Sequence, residues 1–358
     1  MEKHARFFST FDDFRDPYSR DRDRVVHSKS FRILEYKTQV FINTDGDYFR
    51  TRLTHSIEVS QIARTISKHL GLNESLSEAI ALAHDLGHTP FGHVGGDELD
   101  KVLRNYGSTS GFDHNFQSFR VVTALEQRYK EYNGLNLTFA TLEGILKHSA
   151  PYDKSFLPTE IRETFRMDLH PNLEAVVVDH SDEIAYISHD IDDGIQHGLI
   201  DFETLKEAEL VRELMERIAP EGLDERGELY RYKFVSMLIS ILITDLIDNS
   251  STTDAAIPAS EKLPIRFSAD MRTKLSRLKK LLFQKLYRHE EVVKKMYTGK
   301  ICITKLFKAF HDEPQTLPQA YQERIGRYGK KERVIADFIA SLSDRHALEL
   351  YRELYFGM

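Results

Sequence analysis

The 358-residue sequence holds one cysteine, Cys302, which excludes an intrachain disulfide framework and fits a reducing compartment. No apolar run approaches the roughly 18 residues that a membrane-crossing helix needs, and no signal-peptide pattern opens the chain. Basic charge is not in excess. The formal net charge of −7 gives no support to a mainly nucleic-acid-binding role, although local basic patches stay open. Alternating strand patterns and internal repeats are missing as well. These absences lead to the expectation of a soluble, cytoplasmic, all-α protein. Its length allows one large core or a core with an appended subdomain.

What the chain does have is Ala83-His84-Asp85-Leu86-Gly87-His88-Thr89-Pro90-Phe91-Gly92-His93. Ser75-Leu76-Ser77-Glu78 has the spacing of a capping box, and Leu76, Ala79, Ile80 and Ala83 follow at helical intervals. Gly87 and Pro90 then stop the helix. This pattern predicts His84 and Asp85 in the last turn of a mostly buried helix, with His88 and His93 on the loop that leaves it. From about Thr54 to Leu70, the residues Val59, Ile62, Ile66 and Leu70 form an apolar stripe closed by Gly71, with His55 on the core-facing side. The short turn Gly71–Glu74 makes the two helices an antiparallel hairpin. The spacing leaves open whether His55 and His84 share an end of it.

Before this pair, residues 1–24 read as a solvated segment with local ion pairs through Arg20-Asp21-Arg22-Asp23-Arg24, the usual meaning of alternating charge. Phe31, Leu34 and Val40-Phe41 indicate short helical pieces, and Asn43–Asp47 is a loop turning at Gly46. After the pair, residues 95–111 read as loop-rich around a short helix, and His114 opens a helix through Phe116, Phe119, Val122 and Leu125. Between Leu173 and Gly194, Asp179, Asp182, Tyr186, Asp190 and Asp193 recur at three- and four-residue spacing. Asp182, Tyr186 and Asp190 therefore share one row. No Lys or Arg occurs in that stretch, so the row is costly to bury without a cation or a polar ligand. Beyond Gly198, Val211–Ile218 and Tyr230–Ile247 are apolar-periodic, Asn249–Pro264 is a loop, and residues 268–296 read as one basic amphipathic helix. Val334, Ile335, Phe338, Ile339 and Leu342 mark terminal helices.

His55, His84, Asp85 and Asp182 bring two imidazoles and two carboxylates from three helices. Mixed N/O donors suit Mg²⁺ or a divalent first-row metal such as Mn²⁺ or Co²⁺, and the missing cysteine cluster argues against structural zinc. A cation held this way keeps positions for water and a phosphate oxygen. Histidines outside the ligand set are then available for proton transfer near neutral pH.

The pattern His55…His84-Asp85…Asp182 resembles the signature of HD-domain phosphohydrolases. The flanking blocks are closer still: Arg52-Leu-Thr-His55-Ser, the stretch from Ala83 to His93, Phe112-Asp-His-Asn-Phe-Gln-Ser-Phe-Arg120 and Asp182-Glu-Ile-Ala-Tyr-Ile-Ser-His-Asp190. With Arg22-Asp-Arg24 and Ser343-Asp-Arg345 at the ends, they resemble bacterial deoxyguanosinetriphosphate triphosphohydrolase-like proteins over nearly the whole chain. The resemblance implies cleavage of a dNTP to deoxynucleoside and tripolyphosphate. It makes His55, His84, Asp85 and Asp182 the ligands of a divalent metal, His93 the acid for the leaving 5′-oxygen, and His88 and His114 histidines around the phosphates. Arg52 becomes a substrate-contacting arginine, Tyr186 packs where a 2′-hydroxyl would project, and Asp190 receives the 3′-hydroxyl. It also implies homo-oligomers, often hexamers, with single-stranded DNA as a possible effector. The corresponding division is an N-terminal helical arm over 1–50, an HD core over 51–200 and a C-terminal helical region over 201–358.

Two positions depart from the family. An acidic residue commonly stands three after the His93 equivalent, where this chain has Gly96 and then Asp97. Position 183 is Glu where a mammalian relative of that family, the SAM-and-HD-domain dNTPase, has a phosphate-binding lysine, so the triphosphate charge is expected to meet Arg52, Lys147 or the basic C-terminal helices.

Overall fold

The protein's structure, a computed structural model, describes residues 2–9, 14–39, 50–152, 154–253 and 255–357. The expected Val40-Phe41 helical piece and the Asn43–Asp47 loop lie outside them. Among the described residues there are 17 α-helices, and extended pairing is limited to isolated bridges such as Thr38 with Thr51. The all-α expectation holds.

The hairpin that carries the histidines is Arg52–His69 packed on Glu74–Ala83. Its caps are not where the sequence pattern put them. Asn73, not Ser75, accepts from Leu76 N and starts the second helix, while the capping box sits one helix earlier, at Thr51 and Thr54. Asn73 comes first because its short amide reaches the N3 amide just as a serine hydroxyl does. The helix ends at Ala83, so His84 is its cap and Asp85 lies in the turn beyond.

Three apolar clusters build the core. One joins Val59, Ile62 and Ile66 to Ile184, Ile187 and Ile191 of the helix Leu173–Gln196, and continues through Phe234 and Leu238 of Glu228–Asp248 to Leu275 and Leu278 of Ala269–Lys285. The second packs Leu99 and Leu103 of Gly92–Asn105 against Ile303, Leu306 and Phe307 of Glu290–Asp312 and against Ile335 and Ile339. The third sets Val25 and Leu34 of the N-terminal helices against Leu86, Leu142 and Ile145. The catalytic candidates sit where these clusters meet.

Three expectations need correction. Residues 95–111 are not loop-rich: a helix runs from Gly92 to Asn105, placing His93 in its first turn. Gly95 is there for close approach, since a Cβ would stand 1.9 Å from Pro90 O. The N-terminal segment is largely exposed or half-buried and carries local ion pairs such as Arg22 with Asp23, as expected, but two of its charges are not solvated. Asp21 is buried, accepting from Arg6 and from Thr138 N (2.9 Å) and Thr141 Oγ1 (2.8 Å), and Arg24 donates to Leu135 O at 2.7 Å. Finally, residues 268–296 form two helices, Ala269–Lys285 and Glu290–Asp312, broken at 286–289. The break delivers Tyr287 and Arg288 to the cavity described next.

Candidate active site

His84 is held at its Nδ1, which donates to Ala81 O at 2.6 Å. That bond leaves Nε2 as a bare lone pair. Nε2 is buried without a hydrogen-bond partner, 3.4 Å from Asp85 Oδ1 and 4.0 Å from Asp182 Oδ1. His55 Nε2 lies 2.8 Å from the same Asp182 oxygen, and one ligand atom from each of His55, His84 and Asp182 falls within 4.8 Å of the others. Buried lone pairs and a carboxylate oxygen facing one another call for a cation, and mixed N/O donors suit a divalent one. Asp85 lies outside that close trio and borders it through His84. Its Oδ2 accepts from Arg52 Nη1 at 2.8 Å and its Oδ1 lies 3.1 Å from His88 Nε2. Burial opposes ionisation of Asp85, but His84, Arg52 and His88 outweigh it and hold the carboxyl well below its ordinary range.

Beside this set His88, His93 and His114 form a second cluster. The His88 and His114 rings stack at 4.3 Å, and both meet His93 edge to face at 5.0 and 5.7 Å. The three offer ligand atoms close enough for a metal. Arg52, however, lowers the pKa of His88 and of His93, in each case second only to burial. A fixed guanidinium so near disfavours another cation and favours an anion such as phosphate. His114 is pushed down to about 3 by burial first and then by His93, so this cluster is neutral and able to donate N–H bonds. His93 is exposed and faces the cavity. Asp97, one helical turn after His93, lines the same cavity and favours its protonation.

All these groups except His84 line one cavity of about 770 Å³, together with Tyr186, Asp190 and, from the helices near the C-terminus, Phe283, Tyr287, Arg288, Tyr297 and Lys300. That volume is in the range of sites that enclose a nucleotide-sized ligand. Asp182, Tyr186 and Asp190 do form one wall, as their spacing predicts. Asp190 Oδ2 accepts from Tyr287 Oη. Burial raises the Asp190 pKa to about 7, against the lowering effect of that bond. Lys147 does not belong here: its ammonium is buried against Glu143 Oε1 (2.9 Å) and the carbonyls of Arg166 and Leu169. Glu183 points out of the cavity to Arg272 (2.9 Å) and Lys279 (2.7 Å), which neutralise it.

Two histidines escaped sequence reasoning. His148 lines the cavity, with Nδ1 2.7 Å from Asp179 and Nε2 3.5 Å from Asp182. Burial lowers its pKa, but the two carboxylates outweigh this and raise it to about 10. His148 follows an ordinary apolar helix 34 residues before Asp182, and no spacing marked it. His189 stands behind His55, with the two Nδ1 atoms 3.3 Å apart. Its one signal was the two-turn interval from Asp182.

The sequence matches agree with this geometry. Residues 52–187 match the HD domain and residues 265–353 the phosphohydrolase-associated domain. The first span carries all four candidate ligands and the second carries Phe283, Tyr287, Arg288, Tyr297 and Lys300. Fold, donor set and domain matches define the protein as an HD-domain phosphohydrolase. A deoxyguanosinetriphosphate triphosphohydrolase-like protein of Wolinella succinogenes is 60% identical over the whole of both chains. Proteins of the same description from Geobacter sulfurreducens and Nitrosomonas europaea are 46% and 44% identical, covering 96% and 95% of this chain and 90% and 91% of theirs. The chain belongs to the deoxyguanosinetriphosphate triphosphohydrolase-like family. No helix among its described residues is long and apolar enough to cross a membrane.

Proposed function

We propose that the protein is a metal-dependent triphosphohydrolase that converts a dNTP, with dGTP the first to be tested, to deoxynucleoside and tripolyphosphate. One observation carries the reading: a divalent-cation donor set, a neutral histidine cluster beside an arginine, and a tyrosine–aspartate wall open onto a single nucleotide-sized cavity. His55, His84, Asp85 and Asp182 would hold the cation, which supplies Lewis-acid polarisation of a phosphoryl oxygen and a water of lowered pKa.

The remaining steps fall to side chains. Arg52 is buried with its Nε and Nη2 unpartnered, so a phosphate oxygen meets two fixed donors. Arg288 and Lys300 add cationic charge to the cavity wall, taking the part that Lys147 cannot. The neutral His88 and His114 donate to phosphate oxygens. His93 protonates the leaving 5′-oxygen. Arg52 and burial lower its pKa in the free protein, and an arriving triphosphate brings negative charge that raises it again, so that the acid is charged when substrate is bound.

Asp182, Tyr186 and Asp190 offer a line from the cation to the sugar. The Asp190 oxygen not bonded to Tyr287 accepts from a 3′-hydroxyl, and the Tyr186 ring closes the space beside C2′, where the extra hydroxyl of an rNTP meets an apolar face without a partner. The expected kcat/KM for GTP is about 100-fold below that for dGTP, and Tyr186→Ala relaxes the ratio. A 2′,3′-dideoxynucleotide loses heavily in the unmodified protein and shows no further loss in Asp190→Ala. Steady-state rates for dGTP, GTP and ddGTP on the three proteins check this. Equal use of GTP and dGTP by the unmodified protein would instead mark a general HD nucleotidase.

A further inference from the structure

Behind the cation site, away from the cavity, a file of polar contacts runs into the scaffold. His189 is 1% exposed and its ring stands at 83° to that of His55, with the Nδ1 atoms 3.3 Å apart. On its other side His189 Nε2 lies against the Glu58 carboxylate. Glu58 is met by Arg50 Nε at 3.5 Å, and Arg50 also holds Asp192 at 2.8 Å and Asp193 at 2.6 Å. Arg231 secures Asp192 at 2.8 Å from a second helix.

Two imidazole nitrogens facing each other must share one proton, so one donates and the other accepts. The carboxylate of Glu58 keeps the His189 proton on Nε2, and the Nδ1 of a neutral ring is then an acceptor. His55 must donate from its own Nδ1. That leaves the His55 Nε2 lone pair facing Asp182 Oδ1 at 2.8 Å, two acceptors in a gap that a cation fills.

We infer that His189, oriented by Glu58, is a positioning residue that fixes His55 as its Nδ1–H tautomer and thereby sets the affinity of the cation site. The inference rests on the ligand set proposed above. Residues that orient a metal-binding histidine through its second nitrogen typically change affinity by about 10–100-fold when removed. His189 touches neither cavity nor substrate, so its effect should appear in metal affinity rather than in the chemistry of a saturated site.

Asparagine and leucine separate the hydrogen bond from the volume, because they are close in size and the Asn oxygen falls where the His189 Nδ1 stands. Mn²⁺ is titrated calorimetrically into the full-length, metal-stripped protein and its variants, with circular dichroism of each metal-free form. Asp182→Ala should abolish binding, which checks the ligand set independently. His189→Leu should weaken Mn²⁺ by about 10–100-fold while keeping the helical signal, and His189→Asn should retain most of the affinity. Wild-type affinity in His189→Leu, or equal weakening in the Asn and Leu variants, overturns the inference. Wild-type affinity in Asp182→Ala overturns the ligand set itself.

Discussion

Replacing Asp85 by alanine should strip the protein of divalent metal and leave hydrolysis at background. Asp85 is 4% exposed and its two oxygens serve His84, His88 and Arg52 at once. The turn that carries it lies beyond the last helical residue, Ala83, so helix content should stay near that of the unmodified protein. Stability should not. Alanine leaves the Arg52 guanidinium buried without its carboxylate, a change that typically costs about 3–5 kcal/mol. Asp85→Asn is the useful companion, since its amide oxygen still accepts from Arg52 while the ligand charge is gone. Elemental analysis, turnover and thermal melts of both variants check this. Wild-type metal content and turnover in either would remove Asp85 from the ligand set.

His93→Ala should behave differently. Metal and dNTP binding should persist while kcat falls about 10²–10⁴-fold, the scale of a lost general acid. The sign of the pH dependence follows from the role. A general acid must be protonated, so kcat in the unmodified protein falls as pH rises through the pKa of His93 in the complex, and that alkaline limb should be absent from the variant. Loss of metal together with rate would make His93 a ligand instead. Asp97 is the natural partner in this picture, four residues on in the same helix and facing the same cavity.

Sequence alone made much of the site legible where chemistry is concentrated in short range. The span from His84 to His93 holds four ionisable candidates with its own stop signals, and the row of Asp182, Tyr186 and Asp190 follows from helical period alone. The hairpin of the His55 and His84 helices was also readable, though not that the two histidines meet at one end, which tertiary packing decides. What escaped depends on distant partners. The acidic helix lacks local cations because its cations come from elsewhere: Arg50 and Arg231 for Asp192, Arg272 and Lys279 for Glu183. Asp21 looked solvated because its neighbours are charged, while the groups that bury it stand at Thr138 and Thr141. Lys147 looked available for phosphate because nothing nearby in sequence shows the two carbonyls that surround its ammonium. The break at 286–289 had no glycine or proline to announce it, yet it supplies the hydroxyl that meets Asp190.

The central claim is that the bond broken lies between the 5′-oxygen and the α-phosphorus. Product analysis tests it most directly: dGTP is incubated with the protein and Mg²⁺, Mn²⁺ or Co²⁺, and the phosphorus-containing products are resolved by ion chromatography or ³¹P spectroscopy beside the nucleoside. Deoxyguanosine and tripolyphosphate in equal amounts are the expected result. Release of dGMP with pyrophosphate, or of dGDP with inorganic phosphate, would contradict it.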